Sequence, residues 1–107
     1  MSNEVDVINQ VFGDKPVRVN ICGVPHEVVE VVDNFDMECH LGMIDYKKAV
    51  IKINKDLQGL NRKETICHEM VHGMLVHTGY TELANDETLV QALGNAIMQG
   101  FDIKEVR

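Results

Sequence analysis

The stretch ETICHEMVHGMLVHTG, residues 64–79, determines how the second half of this 107-residue chain folds. Its apolar side chains recur at the spacing of one helix face: Cys67, Met70, Val71 and Met74. This spacing predicts an amphipathic helix that packs on a sheet. Asn61 is the predicted N-cap, with Glu64 three residues later completing a variant of the capping box. Glycine suits the left-handed position after a last turn, so the helix is predicted to end at Thr78-Gly79.

Within that helix, His68 and His72 are four residues apart and Glu69 directly follows the first histidine. The two imidazoles point about 40° apart on the helix, so both can reach one ion. This is the HExxH arrangement, in which two neutral histidines bind zinc and the glutamate acts on a water molecule. Glu69 is expected to lie a further step round the helix, away from the core. It would take a proton from that water and pass it to the leaving amine.

A catalytic zinc site usually has three protein ligands, so a third ligand must come from elsewhere in the chain. Glu87 is the predicted one, because it lies in the first turn of the next predicted helix, on the edge of its inward face. Glu82 and Asp86 are the alternatives, and Glu87 could instead be an acid stabilised by the helix N-terminus. His77 is half a turn away from the HExxH histidines and is expected at the surface.

Three further residues are candidates for supporting roles. Glu64 lies one turn before His68, and Gln91 lies one turn after Glu87. Either side chain could hold a histidine ring or the Glu87 carboxylate in place by a hydrogen bond. Tyr80, just after the helix, could donate a hydrogen bond to an oxyanion. Its other interpretation is a packed or surface aromatic residue.

The first half of the chain contains short β-branched runs in which apolar and polar residues alternate. VRVNICG at residues 17–23 and HEVVEVV at residues 26–32 predict two strands, joined in a hairpin by Gly23-Val24-Pro25. Two more strands are predicted at residues 40–45 and 49–54, joined by a polar turn. The predicted fold class is therefore α+β: a small, mostly antiparallel sheet of three or four strands, followed by the HExxH helix and a second helix.

The second helix is predicted to follow TELAN, residues 81–85, with Asn85 or Asp86 as its N-cap and Gly100 at its end. Its predicted buried face consists of Leu89, Val90, Leu93, Ala96 and Ile97. A short helix is also predicted at residues 3–12. Because no repeat, low-complexity segment or linker interrupts the sequence, residues 1–107 are predicted to form a single domain.

The composition limits the classes of function. The formal net charge is −7 and the acidic residues are scattered, so neither nucleic acid nor a membrane is an expected partner. No secretory signal or spanning segment is recognisable, and a cytoplasmic location is expected. Cys22, Cys39 and Cys67 are odd in number and lack CxxC spacing. They fit reduced thiols packed as small apolar residues better than disulfides or a zinc ribbon.

Three segments together carry a resemblance to a known family: IDYKKAVIKIN, ETICHEMVHGMLVHTGY and NDETLVQALGNAI. Their succession resembles the small phage- and prophage-encoded zincin-like metallopeptidases related to the ImmA/IrrE type, over roughly residues 17–99. The resemblance implies a zincin-like α+β fold and peptidase activity. It also implies zinc held by His68, His72 and Glu87, with Glu69 as the general base. Larger relatives carry a DNA-binding or regulatory domain and cleave a repressor-like protein, and this chain has neither part.

The expected function is therefore that of a minimal zinc metallopeptidase, with one Zn²⁺ per chain and a specific intracellular protein or peptide as substrate. The strand nearest the site, residues 49–54 or its neighbour, would offer an edge to an extended substrate. Two alternatives remain. The first is a zinc-containing, catalytically weak module that binds a partner by strand addition. The second is a small interaction domain without metal.

Overall fold

Four β-strands and three helices form from residues 17–32 and 41–105, the part of the chain that the computed structural model describes. The strands are β1 (Arg18–Ile21), β2 (Val24–Val31), β3 (Gly42–Asp45) and β4 (Val50–Asn54). The helices are α1 (Gly59–His77), α2 (Thr81–Ala84) and α3 (Glu87–Gly100). The predicted α+β class, with a sheet followed by the HExxH helix and a later helix, is confirmed. The helix predicted at residues 3–12, and Cys39, lie outside the described residues.

The strands form one sheet in the order β1-β2-β4-β3. β1 pairs antiparallel with β2, and β3 pairs antiparallel with β4. β4 also lies parallel to β2, so it sits between the two strands that precede it in the sequence. The prediction of a mostly antiparallel sheet is confirmed. The insertion of β4 leaves β3 at one edge of the sheet.

The β1–β2 turn lies earlier in the chain than predicted. Ile21 pairs with Val24, so the turn consists of Cys22 and Gly23, with φ angles of 51° and 81°. Two-residue hairpin turns with positive φ at both positions match the twist of the flanking strands. Val24 and Pro25, which were predicted to belong to the turn, therefore extend β2. Cys22 is consequently exposed rather than packed.

The core lies between the sheet and α1. Fully buried side chains from the first, second and fourth strands face the helix: Val19, Ile21, Val28, Ile51 and Ile53. Of the predicted apolar stripe of α1, Met70 belongs to this core cluster and Met74 packs against it, while Cys67 and Val71 are buried outside the cluster. Burial of each large apolar side chain contributes roughly 1.5–3 kcal/mol. The sheet and α1 therefore supply most of the stabilisation that the described residues show.

The start of α1 corrects the predicted cap. The helix begins at Gly59, and its N-cap is Gln58, which makes no capping hydrogen bond with its side chain. Asn61 lies inside the helix, and its carbonyl accepts a hydrogen bond from Thr65 Oγ1. Leu57 packs against the core, which fixes where the chain enters the helix. The predicted end is confirmed, since Thr78 is the C-cap and Gly79 has a φ of 93°.

The last helix also differs in part from its prediction. Asp86 is its N-cap, as predicted, and accepts a hydrogen bond from Leu89 N at 3.1 Å. The predicted buried face is correct only in part: Val90 is buried as predicted, but Leu93 is 40 % exposed and Ala96 is exposed, and the buried Gly94 was not predicted. TELA, predicted as a connection, forms the short α2. Within residues 17–32 and 41–105, none of the helices has the length and apolar character needed to cross a bilayer.

Candidate metal centre

Three side chains from two helices converge on one point. His68 and His72 project from α1, and Glu87 is the first residue of α3. Glu87 Oε2 lies 2.9 Å from His68 Nε2, and Glu87 Oε1 lies 3.1 Å from His72 Nε2. The two Nε2 atoms are 3.2 Å apart. These residues form a group that could hold a metal ion, with one donor atom from each.

The close approach of α3 to α1 brings Glu87 to the histidines. Gly94 lies against the backbone of α1, where an added Cβ would be 3.4 Å from both Cα and N of His68. Glu87 is seven residues before Gly94, so both lie on the same face of α3. This explains why the predicted apolar face is correct only in part. The side of α3 that packs on α1 is the side that carries the polar residues of the site.

A chain of hydrogen bonds fixes the tautomer of His68. Gln91 Nε2 donates to Glu64 Oε1 at 2.8 Å and to Asn95 Oδ1 at 3.0 Å. Because an ionised carboxylate can only accept, this bond sets the orientation of the Gln91 amide. Its oxygen then lies 2.9 Å from His68 Nδ1 and accepts the proton there. The Nε2 atom that faces Glu87 is left with a free lone pair, which is the form that binds metals.

The structure thus brings Glu64 and Gln91 next to the site, where the sequence placed them. Among the described residues neither has a hydrogen bond to Glu87; Gln91 acts on His68 directly and Glu64 acts on it through Gln91. Asn95 is an additional partner that the sequence analysis did not single out. Its position four residues after Gln91, one helical turn along the same face, was the available signal.

Glu69 is buried, which contradicts the prediction that it points away from the core. It is only 7 % exposed, because β3 passes over that side of α1. The strand can approach because residue 42 is a glycine: a Cβ there would lie 2.6 Å from Thr65 Cγ2 and 3.4 Å from Glu69 Cγ. Within the described ranges the Glu69 carboxylate has no hydrogen bond or ion pair. Its negative charge is therefore not used in a structural contact and is available for a proton transfer.

Burial has a direct effect on the protonation of Glu69. Loss of solvation raises the pKa of this carboxyl from its ordinary 4.5 to about 7. His68 opposes the rise and the negative charge of Glu87 adds to it. A carboxyl whose pKa lies near neutrality is suited to exchange a proton with water.

A cavity of about 420 Å³ lies beside the three convergent side chains. On one side it is bounded by β3 and Tyr46, and on the other by the convergent side chains and Glu69. Tyr46 follows β3 in a turn that is held by a 3.0 Å hydrogen bond from Lys48 N to Asp45 Oδ1. Burial, then the charges of Glu69 and Glu87, raise the pKa of the Tyr46 phenol, so it keeps its proton and can donate it in a hydrogen bond.

Tyr46 is a site residue that the sequence analysis missed, since it was placed only in a polar turn. Tyr80, the tyrosine singled out there, is 57 % exposed and does not line this cavity. Asp86 is engaged as the cap of α3, and Glu82 lies outside the convergent group. His77 lies away from the site, with its ring 5.6 Å from that of His26.

Comparisons with known proteins identify no relative of this chain. No protein-family model matches it, and neither a curated protein nor a solved structure matches it. What the site does must therefore be inferred from its geometry and chemistry.

Proposed function

We propose that this chain is a zinc metallopeptidase domain of zincin-like fold, related to the small phage- and prophage-encoded ImmA/IrrE type, and that it cleaves a specific intracellular protein in the cytoplasm. The observation that supports this is the convergence of His68, His72 and Glu87 beside the buried, unpaired carboxylate of Glu69. A three-residue metal group alone would serve a structural site equally well. Hydrolysis needs, in addition, a base beside the metal group and a cavity that admits the substrate.

The donor set fits zinc in chemistry and in spacing. Two imidazole nitrogens and one carboxylate oxygen are a known ligand set for catalytic zinc. Ligands at about 2.0–2.1 Å in a tetrahedron are about 3.3 Å from one another. The separations here are 2.9, 3.1 and 3.2 Å, so the side chains need to move little to hold one ion.

The protein's own residues would carry the proton transfers. A bound zinc ion would supply Lewis acidity, polarising the substrate carbonyl and lowering the pKa of water. The Glu69 carboxylate takes a proton from the attacking water and delivers it to the nitrogen of the leaving amine. The Tyr46 hydroxyl donates a hydrogen bond to the carbonyl oxygen as negative charge develops on it. Gln91 holds the His68 ring in place through Nδ1.

The substrate is proposed to bind in extended form along β3. Among residues 17–32 and 41–105 this strand pairs with β4 alone and is an edge of the sheet. Gly42, Met43 and Ile44 of β3 line the cavity that also contains the metal group. A peptide added to that edge by backbone hydrogen bonds would pass between the strand and the metal group.

The free edge of β3 also favours a second candidate function. A sheet edge can capture a strand of a partner protein without cleaving it. The domain would then be a zinc-containing binding module with weak hydrolysis. The two functions differ in the role of Glu69, because only hydrolysis requires its carboxylate to accept a proton.

The Glu69→Gln variant tests the proposal. The amide has the same shape but cannot take a proton from water, so we expect zinc content and fold to be retained and cleavage of a peptide mixture to be abolished. Glu82→Gln is the matched control and should cleave like the wild type. Zinc content is measured by atomic absorption and cleavage by mass spectrometry. Full cleavage by Glu69→Gln would exclude the peptidase mechanism, and no cleavage by zinc-loaded wild type would favour the binding module.

A further inference from the structure

A second, smaller cavity lies next to Glu69, at the beginning of β3. Its volume is about 190 Å³. Besides His68 and Glu69 it is lined by Leu41, Gly42, Glu64, Thr65 and Gln91. It shares Gly42, His68 and Glu69 with the larger cavity. A peptide that runs along β3 past the metal group would therefore place a side chain from one side of the cleaved bond into this space.

The charge of the small cavity is negative. Glu64 and Glu69 both line it, and none of its lining residues is a lysine or an arginine. Glu69 is nine-tenths buried, with its unpaired carboxylate at the wall that the two cavities share. The cavity is thus a built part of the proposed cleft rather than a group of acids on an open surface.

The contact between Glu64 and Gln91 does not require a negative charge on Glu64. It receives one hydrogen bond, from Gln91 Nε2 to Oε1, and it has no ion pair among residues 17–32 and 41–105. A neutral amide oxygen could also accept that hydrogen bond, with less strength. Holding a charge at a partly buried position costs free energy unless a cation compensates for it. The remaining oxygen, Oε2, is free to bind one.

The rest of the cavity suits the stem of a long basic side chain. Leu41 and the backbone of Gly42 form one wall, against which methylene groups can pack while a charged end reaches Glu64. The formal net charge of −7 acts in the same direction, because an acidic molecule attracts basic segments of a partner.

We propose that the small cavity is a specificity pocket for a lysine or arginine side chain of the substrate, adjacent to the bond that is cleaved, and that Glu64 binds its charged end. This inference rests on the peptidase function proposed above and narrows the substrate class to proteins with a basic residue at that position.

The test compares zinc-loaded wild type, Glu64→Gln and Glu82→Gln on a peptide mixture derived from a proteome, with cleavage positions read by mass spectrometry. We expect wild-type cleavage sites to be enriched several-fold in lysine and arginine at one fixed position. Because Glu64 also supports His68 through Gln91, the readout is a ratio of rates rather than a single rate. In Glu64→Gln the ratio of cleavage at basic residues to cleavage at neutral residues should fall about tenfold from its wild-type value, as expected for loss of a charge-assisted contact. Glu82→Gln should match the wild type.

A second readout does not depend on activity. Butylguanidinium, added to the zinc-loaded protein, should shift the NMR signals of the Thr65 and Gln91 amides in the wild type but not in Glu64→Gln. Three results would overturn the proposed pocket. They are cleavage by wild type without a preference for basic residues, an unchanged preference in Glu64→Gln, and no butylguanidinium shift in the wild type. Loss of zinc by Glu64→Gln would also overturn it, since the slower cleavage would then follow from the lost support of His68 rather than from the pocket. Butylguanidinium binding without any cleavage would instead refute the peptidase function and leave the pocket standing.

Discussion

Two glutamates serve the same site in different ways because their surroundings differ. The side chain of Glu87 is 66 % exposed and its two oxygens face the two histidines. Glu69 is 7 % exposed and has no partner in the part of the chain that the structure describes. A solvated carboxylate can ligate an ion at little cost, whereas a desolvated one holds a proton more tightly. The difference in burial therefore suits Glu87 to the proposed role of metal ligand and Glu69 to the proposed role of base.

Replacing Glu87 by alanine should weaken zinc binding more than about 100-fold, because the site loses its only charged ligand. The metal-free stability should change little, since the Glu87 side chain is mostly exposed. Zinc affinity is measured by competition with a chromophoric chelator. Glu82→Ala is the control, and Glu69→Gln should also retain zinc. Equal affinity for the wild type and Glu87→Ala would show that Glu87 is not a ligand.

The raised pKa of Glu69 makes the stability of the metal-free protein depend on pH. The folded state binds the proton more tightly than the unfolded state, so the stabilisation is fully present below 4.5 and is lost as pH rises through about 7. The rise corresponds to roughly 3 kcal/mol. Unfolding by urea with chelator present should show wild type losing stability from pH 5 to pH 8 more steeply than Glu69→Gln. Parallel pH profiles would contradict the assignment.

Tyr46 can be distinguished from Tyr80, because the chain has only these two tyrosines and no tryptophan. Tyr46→Phe should lower the turnover number at least about tenfold with little change in KM, since the lost hydrogen bond forms mainly in the transition state. Tyr80→Phe should be unaffected. In Tyr80→Phe, tyrosine fluorescence comes from Tyr46 alone and should be quenched when Co²⁺ binds. Unquenched fluorescence would place Tyr46 away from the metal.

At the scale of elements, the site depends on the contact between α1 and α3. The HExxH helix supplies the proposed base and two of the three side chains that could hold a metal ion. The third side chain comes from a helix that meets α1 through a glycine. Close packing of two helix backbones requires a small residue at the contact. The approach of α3 thus matters more to the site than the burial of its apolar residues, several of which stay exposed.

Gly94→Val should disrupt this contact. A branched side chain would press on the backbone of His68, where even a Cβ is at contact distance, and would push Glu87 away from the histidines. We expect zinc affinity to fall at least about tenfold and the melting temperature to drop. Gly100→Val is the matched control, because nothing lies within 4 Å of a Cβ at that helix end. Equal loss of zinc affinity in both variants would indicate a general effect on helix α3.

In the molecule as a whole, the core and the metal group are separate. The buried cluster is formed by strands β1, β2 and β4 with Ile66 and Met70 of α1, and none of the three convergent residues belongs to it. We therefore expect the chain to fold without an ion. An ion held by the three residues would join α1 to α3 and would stabilise the folded state by binding it alone.

Chelation should lower the melting temperature without unfolding the protein. At a zinc concentration about 100 times Kd, binding adds about 2.7 kcal/mol, which for a domain of this size corresponds to roughly 10–20 °C. Circular dichroism at 25 °C with EDTA should keep its helical signal. Loss of that signal on chelation would mean that the metal is required for folding.

Features that depend on residues close together in the chain could be predicted from the sequence. The four-residue spacing of His68 and His72 fixes their common direction, because a helix repeats every 3.6 residues. Asp86 is recognisable as a cap, and Glu87 follows it into the first turn of α3. Alternation of apolar residues likewise predicted the strands, and these patterns together gave the α+β class.

Features that depend on contacts between distant segments could not be predicted from the sequence and are visible only in the folded structure. The insertion of β4 beside β2 puts β3 at the sheet edge, over Glu69 and next to the metal group. That placement buries the base and brings Tyr46 into the cavity, although the periodicity of α1 directs Glu69 away from the core stripe. Strand order and the approach of two helices follow from how whole surfaces fit together. Local sequence spacing carries no information about such contacts, because the residues that make them lie 15 or more positions apart, as His72 and Glu87 do.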